Sequence, residues 1–465
     1  MHFFGTRKGK KDKMKFLKDK QHLELTEGSI PKGLISFATP LFLGNLLQQF
    51  YNMADAWVIG NYADNDAFAA VSSAGSICFL IIGLFGGISI GGGVVISKYY
   101  GAKDEENVQK AIHTNFLFGI IASVIATVLG LILIPNILQW MQIPESVMPH
   151  SLLYFRIYFG GVATIIMYNI CMSIMRALGD SLHPLYYLLL SSVVNIALDL
   201  LFVIGFKWGV SGAAIATVIA QGLSVLLCVI QLCRKTDYTK LCFNKLKLYP
   251  GIAKQVITQG LPAGIQNSVI SIGNIVVQSN INTFGAFAMS GYGAYAKIEG
   301  LVFLPITSMA MALPTFVSQN LGAGKIGRAK KGSKIGITSG VLCAELIGFL
   351  IFFWGKDAMS FFVDSPEALH FGEIQSDVVS WFFCLLAFSH CCAGVLRGCG
   401  KSFIPMLTML AFWCGVRIIY VTTTLKFVNE FVVISWAYPL TWFLSSVVFA
   451  IVLIKNDWES CFLKG

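Results

Sequence analysis

Residues 40–60 read PLFLGNLLQQFYNMADAWVIG, an apolar run that carries Gln48, Tyr51, Asn52 and a single carboxylate, Asp55. A helix stacks residues four and seven apart on one side, so Gln48, Tyr51 and Asp55 form one polar stripe. A run of this length and apolarity predicts a membrane span. An ionised carboxylate at the centre of a bilayer costs about 2.5–3.5 kcal/mol on insertion scales, so such an acid is read first as a proton or cation site. The competing reading is structural, a pair with Arg156 or with a helix end.

Composition makes the bilayer the expected solvent. Of 465 residues, 55% are hydrophobic and 12% charged, against about 25% charged in soluble domains. The 12 cysteines are irregularly spaced and fall in apolar segments or near basic loops, which is not the pattern of a disulfide framework. The vicinal Cys391 and Cys392 are read as packed thiols. Residues 1–20 hold eight Lys and Arg without a following signal-peptide core; they are expected to fix orientation and touch anionic lipid rather than nucleic acid. Met14 is a second candidate start.

Twelve windows of predominantly apolar residues predict an all-α polytopic membrane protein. The expected organisation is a basic cytoplasmic tail at 1–32, an N-lobe of six spans at 33–233, a basic cytoplasmic linker at 234–251, a C-lobe of six spans at 252–455 and a cytoplasmic tail at 456–465. With the N-terminus inside, 28 of the 34 Lys and Arg fall on the inner side, as the positive-inside rule requires. The net charge of +10 is thus an orientation signal, and both termini are expected in the cytoplasm.

An internal repeat supports that count. Ser97-Lys-Tyr-Tyr-Gly101-Ala102 matches Ser318-Gln-Asn-Leu-Gly322-Ala323, and Arg176, Gly179, Ser181 and Pro184 match Arg397, Gly400, Ser402 and Pro405. Pro40 and Asn45 align in turn with Pro262 and Asn267. Two pseudo-symmetric six-helix bundles of the same orientation follow, a transporter architecture.

Depth along the spans then brings residues together. Asp55 lies five residues before Gly60, and Asp199 lies six before Gly205; at ~1.5 Å per residue both sit at nearly one level. Asn195 is one turn before Asp199, and Thr217 reaches a similar level from the next span. A polar cluster of Asp55, Asn195, Asp199 and Thr217 is expected in the N-lobe alone, because Val277 and Tyr420 occupy the matching C-lobe places. Lys297 and Glu299 are expected to make separate structural pairs. Glu345 carries a weaker signal, and Arg417 either lines a cavity or reaches outward. The small-residue face Gly86, Gly87, Gly91, Gly92 and Gly93 predicts close helix contact. His390 is expected to be a hydrogen-bonded bundle residue. Neither a phosphate loop nor a zinc or nucleophile motif is present, so no catalytic residues and no metal centre are expected beyond a Na+ at the Asp55/Asp199 cluster.

The stretches LTEGSIPKGLISFATPLFLGNLLQQFYNMADAWVIG, GAKDEENVQKA, MRALGDSLHP, NIALDLLFVIG, SQNLGAG and LRGCGKS together resemble the multidrug and toxic compound extrusion (MATE) family of the MOP flippase superfamily, in its DinF-like branch. The resemblance covers nearly everything after about residue 25. It implies a monomeric antiporter of the cell membrane that exports amphipathic or cationic small organic molecules in exchange for H+ or Na+. It also implies that Asp55, Asn195, Asp199 and Thr217 form a cation site, that Gln48, Tyr51, Tyr154 and Asn169 line the N-lobe, and that the first helix hinges at Pro40. Span seven lacks the glutamate that another branch carries, which argues against a C-lobe sodium site. The alternatives are a lipid-linked saccharide flippase of the same superfamily and an uncoupled channel or receptor.

Overall fold

The structure, a computed structural model, describes residues 24–62, 65–140, 143, 145 and 147–458, leaving aside the side chains of 56, 65–82 and 140. The expectations for the first 23 residues, Met14 included, and for the last seven lie outside the described residues. Twelve helical paths follow one another: α1 (Ile30–Tyr62), α2 (Asn65–Gly101), α3 (Glu105–Trp140), α4 (Met148–Gly160 and Val162–Ala177), α5 (Leu182–Asp199, continued by π-helical Leu200–Gly205) and α6 (Gly209–Arg234). After a linker come α7 (Pro250–Asn282), α8 (Ala286–Gly322), α9 (Ile326–Ser360), α10 (Pro366–Val379, Ser380–Phe382 and Phe383–Gly398), α11 (Phe403–Met409, π-helical Leu410–Val416 and Arg417–Thr424) and α12 (Phe431–Lys455).

Among the described residues, nine of these paths are long and apolar enough to cross a membrane, and α4, bent by 43° at Gly161, makes a tenth. The other two, α2 and α7, are 37 and 33 residues long. The shortfall of α7 has a physical cause. It carries Gln255, Gln259, Gln266 and Asn274, whose amides bond to neighbouring segments, while Ile257, Leu261, Ile272 and Ile275 are exposed.

The repeat is visible in the backbone. Gly179 and Gly400 end α4 and α10 in the left-handed region, at φ 83° and 76°, where a residue without Cβ closes a helix at no steric cost. The basic sequence lies at one end of both bundles, hereafter the basic end, which holds the turns after α2, α4, α6, α8 and α10.

Each bundle has its own core, around Ile174 and Cys228 in the first and around Tyr295 and Trp442 in the second. A third cluster belongs to both. Leu34, Phe37, Ala38 and Leu41 of α1 pack with Leu313, Phe316, Val317 and Val395 of α8 and α10, whereas Val58 and Ile59 pack on Val203 and Ala213 in their own bundle. Helix α1 therefore changes partner along its length. Pro40, which deprives the helix of one internal hydrogen bond, lies within the part that packs on the second bundle, where Leu41 and Asn45 beyond it still meet α8, and the helix runs unbroken through it.

The bundles meet most tightly at glycines. A Cβ on Gly87 would lie 2.2 Å from the Gly264 nitrogen, and one on Gly91 would lie 2.4 Å from the Gly260 nitrogen, so α2 and α7 touch backbone to backbone. At the basic end the repeated motifs face each other. A Cβ on Gly101 would sit 2.0 Å from the Gln319 carbonyl, and one on Gly322 would sit 2.1 Å from the Lys98 carbonyl. The expected small-residue face is thus used, except at Gly86, where nothing lies within 4 Å.

Candidate functional site

Helices α1, α5 and α6 carry the site in the far half of the first bundle. Asn195 and Asp199 project from one face of α5, a helical turn apart, and are 0% and 1% exposed. With its nitrogen turned toward the acids, the Asn195 amide donates to Asp55 Oδ1 at 2.9 Å and to Asp199 Oδ2 at 2.9 Å, while its oxygen accepts from the Thr217 backbone N–H at 3.3 Å. The two carboxyl groups are also hydrogen-bonding neighbours of one another. One amide thus braces two acids, and α6 holds the amide.

Two atoms in the cluster remain unmatched. Asp199 Oδ1 and Tyr51 Oη are buried without a hydrogen-bond partner of good geometry, although the Tyr51 hydroxyl lies beside Asp55 and Thr217. Buried polar atoms are ordinarily paired, so a carboxylate oxygen left unmatched in this cluster leaves a place for a proton or a small cation. Directly after Asp199 the helix widens into its π-helical turn, a distortion found frequently at functional sites. Among the described residues no ion pair joins Arg156 to either acid, and Arg156 is exposed.

The other residues singled out in the sequence divide. The Thr217 hydroxyl donates to its own helix at Ala213 (3.0 Å), so its side chain does not bind Asn195; its backbone does. Tyr154 stacks on Tyr158 with ring centroids 5.8 Å apart, and Asn169 donates to the Ile165 carbonyl at 2.9 Å within its own helix. Gln48 borders a void of about 20 Å³ together with Pro40, Asn45, Met172, Arg176 and Ser181. The polar stripe of α1 therefore serves two places.

The second bundle narrows three expectations. Arg417 does not reach outward: it is 2% exposed, donates to Thr441 Oγ1 (2.9 Å) and Asn274 Oδ1 (3.4 Å), and lies 4.6 Å over the Tyr438 ring. Among the described residues neither Lys297 nor Glu299 forms an ion pair, and each has a different neighbour. Lys297 lies 4.8 Å over Phe362, and Glu299 faces the Arg417, Tyr292 and Tyr295 group without an ion pair among the described residues. His390 is half-buried with its Nε2 buried and unpartnered, and it lies against the rings of Trp413 (5.2 Å) and Phe303 (6.0 Å). Glu345 accepts from the Cys384 backbone N–H at 3.0 Å, where α10 breaks. Cys391 and Cys392 are buried free thiols.

A closure at the basic end was not legible in the sequence. Ser318 donates to the Val94 carbonyl (2.7 Å), Gln319 to the Ala177 carbonyl (2.8 Å) and Gln255 to the Tyr99 hydroxyl (3.1 Å), each across the two bundles. The segment before α1 is strapped to the second bundle: Arg328 donates to the carbonyls of Leu25, Glu27 and Gly28, and Asn320 also reaches Leu25. The SQNLGAG motif could have drawn attention to this end, but not to its partner.

The comparisons decide the family. The MatE family model matches residues 40–201 and again 262–423, one copy for each bundle. The chain belongs to the MATE family. This MATE protein is a multi-pass membrane transporter, not an enzyme. It is 29% identical over 398 residues to a probable multidrug resistance protein, YoeA, of Bacillus subtilis, covering 84% of this chain and 86% of that one. It is 23% identical to the multidrug export protein MepA of Staphylococcus saprophyticus, covering 87% and 89%. Among solved structures, a MOP superfamily transporter from Pyrococcus furiosus superposes with a TM-score of 0.86 at 20% identity, over 94% of this chain and 99% of that one.

Proposed function

We propose that the protein is a secondary active multidrug exporter of the cell membrane, with both termini cytoplasmic, that moves amphipathic or cationic small organic molecules outward in exchange for H+ or Na+. Family membership and relatives named for multidrug resistance and export support the transport class. The ion coupling rests on one observation, two neighbouring carboxyl groups braced by the single Asn195 amide with an Asp199 oxygen left over. Two adjacent negative charges in a low-dielectric site repel, and a bound proton or cation relieves them.

Asp55 and Asp199 are the ion-binding acids, Asn195 the brace, and Tyr51 and the Thr217 backbone the walls. Ion entry relaxes the cluster and weakens substrate binding, so ion and substrate favour different states, as exchange requires. Pro40 is the hinge, since it removes one internal hydrogen bond from α1, whose two ends pack on different bundles. The gathering of cross-bundle bonds at the basic end corresponds to a state closed toward the cytoplasm. The cluster also supports assignment to the DinF-like branch. A saccharide flippase fits less well, because Lys297 covers Phe362 and Arg417 is buried, which leaves Arg156 as the one exposed cation of these three.

Reconstituted vesicles test the reading. An imposed proton gradient or an imposed sodium gradient, applied separately, is expected to accumulate a fluorescent organic cation with one ion and not the other. Accumulation that merely follows the dye's own gradient, whatever ion is supplied, would identify a channel and end the proposal.

A further inference from the structure

The linker between the bundles is not a loose loop. It begins after Arg234, turns at Asp237, whose carboxylate accepts from the Thr239 backbone N–H at 2.9 Å, and is pinned to the start of α3. The Cys242 N–H donates to His113 Nε2 at 3.0 Å, while His113 Nδ1 meets the Gln109 carbonyl at 2.6 Å, leaving neither ring nitrogen for a ligand. Thr114 and Tyr249 tie the far end of the linker to the same helix, through the Tyr249 N–H and the Lys247 carbonyl, each at 3.4 Å.

This docking leaves a cavity of about 360 Å³ between α3 and the linker, within the size range of small-ligand sites. Three ammonium groups line it. Lys110 and Lys247 approach the same Tyr249 ring, at 5.7 and 5.9 Å, and Lys245 extends over Gln109 at 3.4 Å. Among the residues that line it, the carboxylate is Glu106, which pairs with Lys110. Among the described residues Lys245 and Lys247 have no carboxylate partner. The Asn244 amide completes a polar wall. Excess positive charge gathered in a concave site is complementary to a compact anion.

The neighbours of the cavity identify what carries that anion. Phe243 and Leu248, on the same linker, are 55% and 37% exposed, and Phe243 meets Phe116 of α3 edge-on at 6.0 Å. Exposed apolar side chains beside clustered lysines suit the membrane interface, with the rings toward the acyl chains and the ammonium groups at the phosphate level. We propose that this cavity is a binding site for the phosphate of an anionic phospholipid in the cytoplasmic leaflet, and that the lipid ties the linker to α3. The leaflet follows from the orientation proposed above, whereas occupancy does not depend on transport, so the two can fail separately.

The test uses the purified full chain in neutral detergent, with lipid binding read by native mass spectrometry and by melting temperature. Phosphatidylglycerol is expected to bind at least about fivefold more tightly than phosphatidylcholine and to raise the melting temperature. Replacing Lys110, Lys245 and Lys247 together by Gln should abolish that preference, and Lys247→Glu alone should weaken it. Replacing the exposed Lys330, Lys331 and Lys334 by Gln removes the same charge elsewhere at the basic end and should leave the preference intact. Equal losses in the two triple variants would mean general surface attraction and overturn the site. Inorganic phosphate at the lipid's concentration should shift nothing; a shift matching that of phosphatidylglycerol would assign the cavity to a soluble phosphate and overturn the lipid.

Discussion

Gly101→Ala should prise the two bundles apart at the basic end. The added methyl would start 2.0 Å from the Gln319 carbonyl oxygen, and real Cβ contacts do not fall below 3.0 Å, so the neighbour must retreat by at least 1.0 Å. That neighbour is backbone and cannot rotate aside. The same retreat strains the bonds from Ser318 to Val94 and from Gln319 to Ala177. Overpacking of this kind costs about 1–3 kcal/mol. At about 1.4 kcal/mol per factor of ten, the state closed at the basic end loses roughly 5- to 150-fold in population against one in which the bundles part there. Hydrogen exchange read by mass spectrometry over residues 94–104 and 316–326 should therefore quicken in Gly101→Ala. Gly86→Ala, whose methyl meets nothing within 4 Å, should leave those segments unchanged. If both variants exchange alike and melt alike, the α2–α8 contact does not hold the closure and the reasoning fails.

Other perturbations separate the parts of the account. Asn195→Ala removes two hydrogen bonds to acids, each worth about 1.5–3 kcal/mol, and should cut uphill transport at least tenfold; Thr217→Val, which keeps the backbone N–H that Asn195 uses, should cost less than about threefold in the same vesicle assay. Arg417→Lys keeps the charge but cannot serve Thr441 and Asn274 through separate nitrogens while covering Tyr438, so the melting temperature should fall. Arg328→Ala frees the carbonyls of Leu25, Glu27 and Gly28 and should expose residues 24–29 to limited proteolysis without changing the melting of the bundles.

Legibility in the sequence followed the physics of each feature. Spans and the repeat were readable because apolar periodicity and paired Gly and Pro positions are local signals, whereas α7 falls short of a span by hydropathy because its amides are spent on neighbouring helices. The meeting of Asp55, Asn195 and Asp199 followed from depth counting, since helical rise fixes height whatever the packing. Counting cannot fix rotation. It therefore could not show that Asn195 meets the Thr217 backbone N–H, or that Gln48 borders a void shared with Met172, Arg176 and Ser181. In the second bundle, Glu299 and Arg417 share a polar group across α8 and α11, a relation with no sequence spacing to announce it. The closure by Ser318, Gln319 and Arg328 was equally silent, because a repeat shows that two segments are alike and not that they touch.

The central claim is that Asp55 and Asp199 exchange the coupling ion. Vesicles holding wild type, Asp55→Asn or Asp199→Asn, given the ion gradient that drives the wild type, measure this most directly when accumulation of a fluorescent organic cation is compared with its binding. The account predicts that both variants insert, fold and bind the cation yet cannot concentrate it above equilibrium. Uphill accumulation by either variant at the wild-type rate would contradict it.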